Sequence, residues 1–413
     1  MLHNLKNKKY IGVILLALCV VVLYGYRLSF PPEPYYDEVH YVKFLKKLIH
    51  EHTYDYASSH PPLWHLLTWG CMVLFGEHPV VWRLVSLLAG LLLLLWVYFL
   101  AQRISRDSLT ALFAVFFLAF DCISLTQARI GMFNSLALLF VIIALWAFLH
   151  FLQERPGPRK KVLLSTGVFL GLGLATKLTS LSTLGIIYFL LILKTIKSRG
   201  ERKPLFFESI FFLGILPVMI YFAAHAFILF LPGYSWKDIW RIQVFNFRYH
   251  LVEAATQTHL YASQWWGWPL LLRPIWYYFA NQEGVVKGII SIGNPAIFWM
   301  IPVMAVYLLW DLMRHKSQAS GLILLGFFGQ WLFYACGLRL KFFHYMYFAM
   351  PFVAIGLAWI CRKLWGKGRC GKILVCLYLV LVLGMFLYWY PLLTGLPIPV
   401  KYFQQHMWFR SWI

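Results

Sequence analysis

Apolar runs of membrane-crossing length recur along nearly the whole chain, and that recurrence limits the fold before any motif is considered. A helix needs about 17 to 25 residues to cross a bilayer. Runs of this kind lie near Tyr10–Phe30, Val80–Ala101, Leu109–Leu125, Ile130–Leu152, Val162–Ala175 and Leu178–Leu193. Five more lie near Leu205–Leu231, Ile292–Leu312, Gly321–Cys336, Phe343–Ile360 and Ile373–Leu393. With 61% hydrophobic residues, 13% charged residues and a mean hydropathy of +0.69, the chain reads as an all-α polytopic membrane protein. About eleven transmembrane helices are expected, in one unit over residues 1–413.

The formal charge of +22 is a topology signal rather than a nucleic-acid footprint, because Lys and Arg concentrate in short connectors between the apolar runs. Arg103 and Arg106, the Arg155–Lys161 turn, the Lys194–Lys203 connector, Arg314 with Lys316, and the Arg362–Lys372 cluster fall on one side. That side is cytoplasmic, so the N-terminus is inside and the C-terminus outside. The run from Tyr10 is too long for a cleaved leader and reads as a retained anchor. Seven cysteines with no CxxC pair imply neither a disulfide framework nor a zinc site. Leu63–Phe75 is apolar but short, so it reads as interfacial or re-entrant; Val39–Ile49 has amphipathic periodicity and lies along the outer surface. Residues 31–79 and 232–291 are then the two outer loops with room for chemistry, and no soluble domain is inserted in either.

Asp37 and Glu38 stand side by side just after the first apolar run, in Tyr35-Tyr36-Asp37-Glu38-Val39-His40-Tyr41. A charge held near a bilayer costs several kcal/mol unless hydrated or paired, so acids there are candidate catalytic groups. Asp37 is expected to be a base. After the topological cations are set aside, Arg83, Arg129, Lys177, Arg339 and Lys341 remain at the outer ends of the runs. Converging cations at one face suit a phosphate group, since guanidinium donors make charge-assisted bonds to its oxygens and Lys adds a point charge. His40, His60, His65 and His259 do not form a supported metal-ligand set, and no metal or cofactor is expected.

Several of these blocks resemble the protein O-mannosyltransferase family. They are Tyr36–Tyr41 followed by His60-Pro61-Pro62-Leu63, Gln127-Ala128-Arg129-Ile130-Gly131-Met132, Ala175-Thr176-Lys177, and the Trp-rich run Thr258–Leu270 with Arg273-Pro274. Phe343-His344-Tyr345 and Pro391–Pro397 complete the series, in family order. The resemblance implies a GT-C membrane glycosyltransferase that takes mannose from a polyprenyl or dolichyl phosphate outside the cell. It places the sugar, with inversion and without metal, on Ser or Thr of secreted or membrane proteins. It implies that Asp37 and Glu38 are catalytic, with Asp37 the base. Arg83, Arg129, Lys177, Arg339, Lys341, His344 and Tyr345 would lie on the carrier-phosphate side. His60, Pro61, His65, His259, Tyr261, Trp265, Trp266 and Trp268 would lie on the acceptor side.

The chain departs from the family pattern at Trp64-His65, where a Lys is usual, and at Asn134, where an Asp is usual. The extra domain that eukaryotic members insert is missing, which matches the compact prokaryotic type. Two other readings remain open: sugar transfer from a similar carrier to a lipid or glycan, and a lipid or sugar transporter without catalysis. A transporter predicts broken spans with charges near the bilayer midplane; here the remaining cations gather at one face.

Overall fold

A computed structural model describes residues 17–54, 60–153, 159–197, 207–249, 258–337 and 340–413. Arg339 lies outside the described residues. In chain order the helices are α1 (17–25), α2 (Glu38–His50), α3 (Leu63–Phe75), α4 (Pro79–Ser105), α5 (Ser108–Ala119), α6 (Cys122–Arg129), α7 (Asn134–Gln153) and α8 (Arg159–Thr176). There follow α9 (Leu178–Ile196), α10 (Phe207–Phe230), α11 (Trp236–Arg248), α12 (Pro295–His315), α13 (Gln318–Trp331), α14 (Phe343–Trp365), α15 (Gly368–Thr394) and α16 (Val400–His406).

Seven of these, α4, α7, α9, α10, α12, α14 and α15, are long and apolar enough to cross a membrane, and α5 with α6 makes an eighth if the bent pair is one span. Among the described residues the count is therefore seven or eight rather than eleven. The difference has local causes: α8 opens on Arg159-Lys160-Lys161, α13 is only 14 residues long, and α1 is described from residue 17 onward. The expected Leu109–Leu125 run is broken by 66° between α5 and α6. Asp121 causes the break. Its carboxylate caps α6 by accepting from the Ser124 N–H at 3.3 Å and also accepts from the Asn294 N–H at 3.0 Å. Asn294 in turn donates to the Phe120 carbonyl at the bend and to the Val382 carbonyl of α15.

Burial sorts the spans. The apolar windows of α7 and α14 are 78% and 89% buried, against 22% for α10 and α15, so α7 and α14 form the centre of the bundle. Both begin, at Asn134 and Phe343, at the end of the bundle that carries Asp37. The amphipathic segment forms α2, with Tyr41, Val42, Phe44, Leu45 and Leu48 turned inward, and α3 has the bounds expected of the short apolar segment.

The all-helical expectation is corrected in the second large loop. There β1 (Ile275–Gln282) and β2 (Val285–Ser291) form an antiparallel hairpin, and β3 (Ile398–Pro399) joins β2 to make three strands. The two-residue turn has positive φ at both Glu283 (49°) and Gly284 (80°), the type I′ geometry that matches strand twist. Trp276 faces Ile290 and Tyr278 faces Ile289, so Tyr277 is the extra residue of a β-bulge. The C-terminal segment is fastened alongside: the Trp276 indole donates to the Trp412 carbonyl, and the Trp412 indole to that of Leu271.

Candidate active site

Asp37 and Glu38 open α2, and one step around a helix sends their side chains in different directions. Tyr36, just before them, holds a left-handed φ of 52°, a conformation that costs a non-glycine residue roughly 1 kcal/mol or more and gathers at functional sites. Glu38 is fully buried. It accepts from Arg83 Nε at 2.9 Å and Nη2 at 2.8 Å, from the Trp82 indole at 3.3 Å and from the Gly131 N–H at 2.6 Å. Gly131 permits this approach, since a Cβ there would meet Glu38 Oε1 at 3.2 Å and the Trp82 carbonyl at 3.1 Å. Arg83 also donates to the Leu28 and Glu33 carbonyls, with its guanidinium over the Tyr35 ring. The pair is fork to fork and closed off from solvent. This geometry corrects two expectations: Glu38 has no lone pair turned to a substrate, and Arg83 is committed to Glu38 rather than aimed at a phosphate.

Arg129 is also structural. It is buried and donates to the carbonyls of Tyr24 at 2.6 Å, Tyr26 at 2.7 Å and Arg27 at 3.1 Å. These close the C-terminal end of α1, where a cation complements the helix dipole.

Asp37 and Lys177 belong to a different environment. Asp37 is half-buried, and its side chain makes no capping bond to α2. Lys177 sits in extended backbone between α8 and a 3-10 turn. Its Nζ donates to Asn134 Oδ1 at 2.7 Å and lies over the rings of Phe133, Tyr345 and Phe348 at 5.1, 4.9 and 5.6 Å. Ring contacts run continuously between the two. Tyr345 touches His344 (4.7 Å between centroids), His344 touches Tyr36 (6.2 Å), and Tyr36 lies against Tyr277 (4.4 Å). Burial, followed by the Asp37 charge, pushes the hydroxyls of both Tyr36 and Tyr277 above the ordinary phenol range. His344 and Tyr345 are buried at the start of α14.

Of the acceptor-side residues, His60 reaches this chamber, its ring 4.1 Å from that of Phe133; Pro61 behind it is buried. His65 does not. It is 1% exposed, wedged among Tyr41, Phe44 and Trp64. Burial drives its imidazole down to about 4 against the opposing pull of the Pro61 carbonyl, so it is a neutral core residue. His259 and Tyr261 form an outer rim with Phe342, which stacks on His344. The Ser263 N–H donates to the Lys341 carbonyl and joins that rim to the start of α14. The tryptophans divide three ways: Trp268 is buried against Tyr334 and Tyr345, Trp265 packs on Trp331, and Trp266 is 53% exposed. Among the described residues, no three His, Cys, Asp or Glu side chains gather as a metal-ligand group.

Four residues of the chamber were not picked out as site residues: Tyr36, Phe133, Gln127 and Tyr277. Gln127 offered a signal, as an amide inside an apolar stretch. Tyr277 offered none before the bulge was known.

Residues 59–228 match the family model described as dolichyl-phosphate-mannose-protein mannosyltransferase. Residues 235–412 match that of the C-terminal four-transmembrane region of protein O-mannosyltransferase. Among curated relatives, a polyprenol-phosphate-mannose–protein mannosyltransferase of Mycobacterium tuberculosis is 26% identical over 92% of this chain and 86% of its own length. One of Corynebacterium glutamicum is 26% identical over 92% and 88%. Among solved structures, the protein O-mannosyltransferase complex of Saccharomyces cerevisiae bound to its sugar donor superposes with a TM-score of 0.85, at 14% identity, over 98% of this chain and 93% of that one. ArnT of Cupriavidus metallidurans bound to undecaprenyl phosphate gives 0.66 at 14% identity, over 93% and 77%. At such identities these two similarities establish a shared GT-C-type fold.

Proposed function

The chain belongs to the protein O-mannosyltransferase family, and from that premise we propose that it transfers mannose from a polyprenyl-phosphate carrier to Ser or Thr hydroxyls of protein acceptors. The observation that carries this reading is the match of the two family models, which between them run from residue 59 to residue 412. The geometry supports the division of roles. Asp37 takes the proton of the acceptor hydroxyl as its oxygen bonds to the anomeric carbon. The carbon–oxygen bond to the carrier breaks with its electron pair going to the phosphate, and one displacement inverts the sugar. Lys177, supported by Asn134 and by the His344–Tyr345 turn, faces the charge developing on the leaving phosphate. Neither step draws on a metal.

The same reading sets the protein in a prokaryotic plasma membrane, with about eleven crossings, the N-terminus inside and the C-terminus and active site outside; the basic connectors support it. The test is to incubate purified protein in detergent with radiolabelled mannosyl-phosphoryl-polyprenol and a Ser/Thr-rich peptide, beside Asp37→Asn. Labelled peptide from the wild type alone is the expected result. Labelling of a lipid or glycan but not the peptide would overturn the acceptor assignment.

A further inference from the structure

Four buried polar side chains from four separate segments meet in one line between Lys177 and the outer hairpin. Lys177 Nζ donates to Asn134 Oδ1 at 2.7 Å; Asn134 Nδ2 donates to Gln127 Oε1 at 2.6 Å; Gln127 Nε2 donates to Tyr277 Oη at 2.6 Å. Gln127 and Asn134 have no exposed surface, and Lys177 and Tyr277 have 4% and 5%. We propose that Asn134, Gln127 and Tyr277 are positioning residues: a one-way hydrogen-bond chain from Lys177 makes the Tyr277 oxygen an acceptor and turns its proton toward Asp37.

The direction follows from the donor inventory. An ammonium has donors only, so the atom of Asn134 facing Lys177 is its oxygen. The Asn134 amide nitrogen then faces Gln127, which presents its own oxygen to it and its nitrogen to Tyr277. Reversing any one amide would set donor against donor in a buried site, where unpaired groups are costly. The phenol oxygen therefore receives a proton from the bundle, and its own proton points away. Two neighbours act on the phenol from elsewhere, the Ser291 hydroxyl and the Asp37 carboxylate. Ser291 acts through a hydrogen bond and Asp37 through its charge; of the two, an ionised carboxylate is the stronger acceptor for a phenol proton. Burial and the Asp37 charge keep the phenol protonated, so it remains a donor. The bulge supplies the aim: Tyr277 has no partner in the β1–β2 register and packs inward against Tyr36 instead of following the strand pleat.

This inference rests on the proposed role of Asp37 as base. A donor held against a carboxylate fixes its orientation and keeps it ionised to lower pH. The chain also joins the cation at the leaving phosphate to the base at the acceptor, so that both ends of one displacement share a rigid support.

The experiment is steady-state transfer by the full-length protein in detergent, with mannosyl-phosphoryl-polyprenol and a Ser/Thr-rich peptide, measured across pH for wild type, Tyr277→Phe, Gln127→Met, the double variant and Asp37→Asn. Tyr277→Phe is expected to lower kcat about tenfold with donor KM unchanged. The acid limb of its pH profile should move upward by about one unit, because the carboxylate loses its donor. Gln127→Met should shift the limb in the same direction, and the double variant should be no worse than Tyr277→Phe alone. An unmoved limb in both single variants, or losses that multiply in the double variant, would overturn the proposal. If Tyr277→Phe does not fold, the limb of Gln127→Met decides by itself. Activity in Asp37→Asn would instead overturn the assignment of the base, which keeps the two failures distinct.

Discussion

The Glu38–Arg83 cluster and the Asp37–Lys177 chamber start from adjacent residues and use the same charges in opposite ways. In the cluster, acid and guanidinium meet at 2.8 Å, Trp82 and Gly131 donate to the carboxylate, and the Leu28 and Glu33 carbonyls accept from the guanidinium. Such a pair has little left for a substrate; it pins α2, α4 and the turn before α7 together. In the chamber, Lys177 is held by an amide oxygen and three aromatic rings, which fix the position of its charge. The contrast teaches that a charged residue at a membrane-facing site is not by that fact catalytic: what surrounds it decides.

The sharpest way to break this contrast is at the base. Asp37→Asn should reduce transfer by about 10²- to 10⁴-fold with an unchanged melting temperature; wild-type turnover would erase the distinction between the two acids. Next comes Arg83→Met, which strands a buried carboxylate and should cost about 3–5 kcal/mol of stability. Thermal melting in detergent should show that loss, with partial recovery when Glu38→Leu is added. A full melting temperature with weakened donor binding would instead restore Arg83 as a phosphate ligand. Lys177→Met should act on the donor, lowering kcat/KM by about ten- to a hundredfold through loss of a charge-assisted contact; unchanged donor kinetics would remove Lys177 from the leaving-group side.

A smaller effect sharpens the boundary of the chamber. The folded protein holds His65 at about 4, below the ordinary imidazole value of about 6.5. Its contribution to stability is therefore complete above the unfolded value and is lost as pH falls from there toward the folded one, up to about 3 kcal/mol in all. The wild-type melting temperature should fall as pH drops from about 6.5 toward 4 while that of His65→Leu does not; identical slopes would show that His65 is not the group that titrates. The least effect is expected at Trp266, half exposed beyond the buried Trp268. Trp266→Ala should change stability by less than about 0.5 kcal/mol, and a large loss would mean that the rim is part of the core.

Much of the architecture was legible in the sequence. The apolar runs marked the long helices, and Leu63–Phe75 was recognisable as a helix too short to cross. Lys177 and Tyr345, drawn from two separate motifs, meet in the fold. The hairpin was hidden because β1 reads Ile275-Trp276-Tyr277-Tyr278-Phe279-Ala280, buried at its start on both faces, without the polar alternation that announces a strand. The kink at Asp121 was hidden for a related reason: a single acid in an apolar run does not reveal that Asn294, far along the chain, will complete its cap.

The sequence by itself determined that this chain is a helical membrane enzyme of the mannosyltransferase kind, because hydrophobic run length and motif order are local properties that survive without coordinates. Only the tertiary structure decided which partners each charge meets. Whether Arg83 meets Glu38 or a phosphate, whether Arg129 meets a helix end, and whether Gln127 reaches Tyr277 depend on contacts between residues tens to hundreds of positions apart. A charge's role is fixed by the partners that share its buried space, and one-dimensional spacing does not specify them.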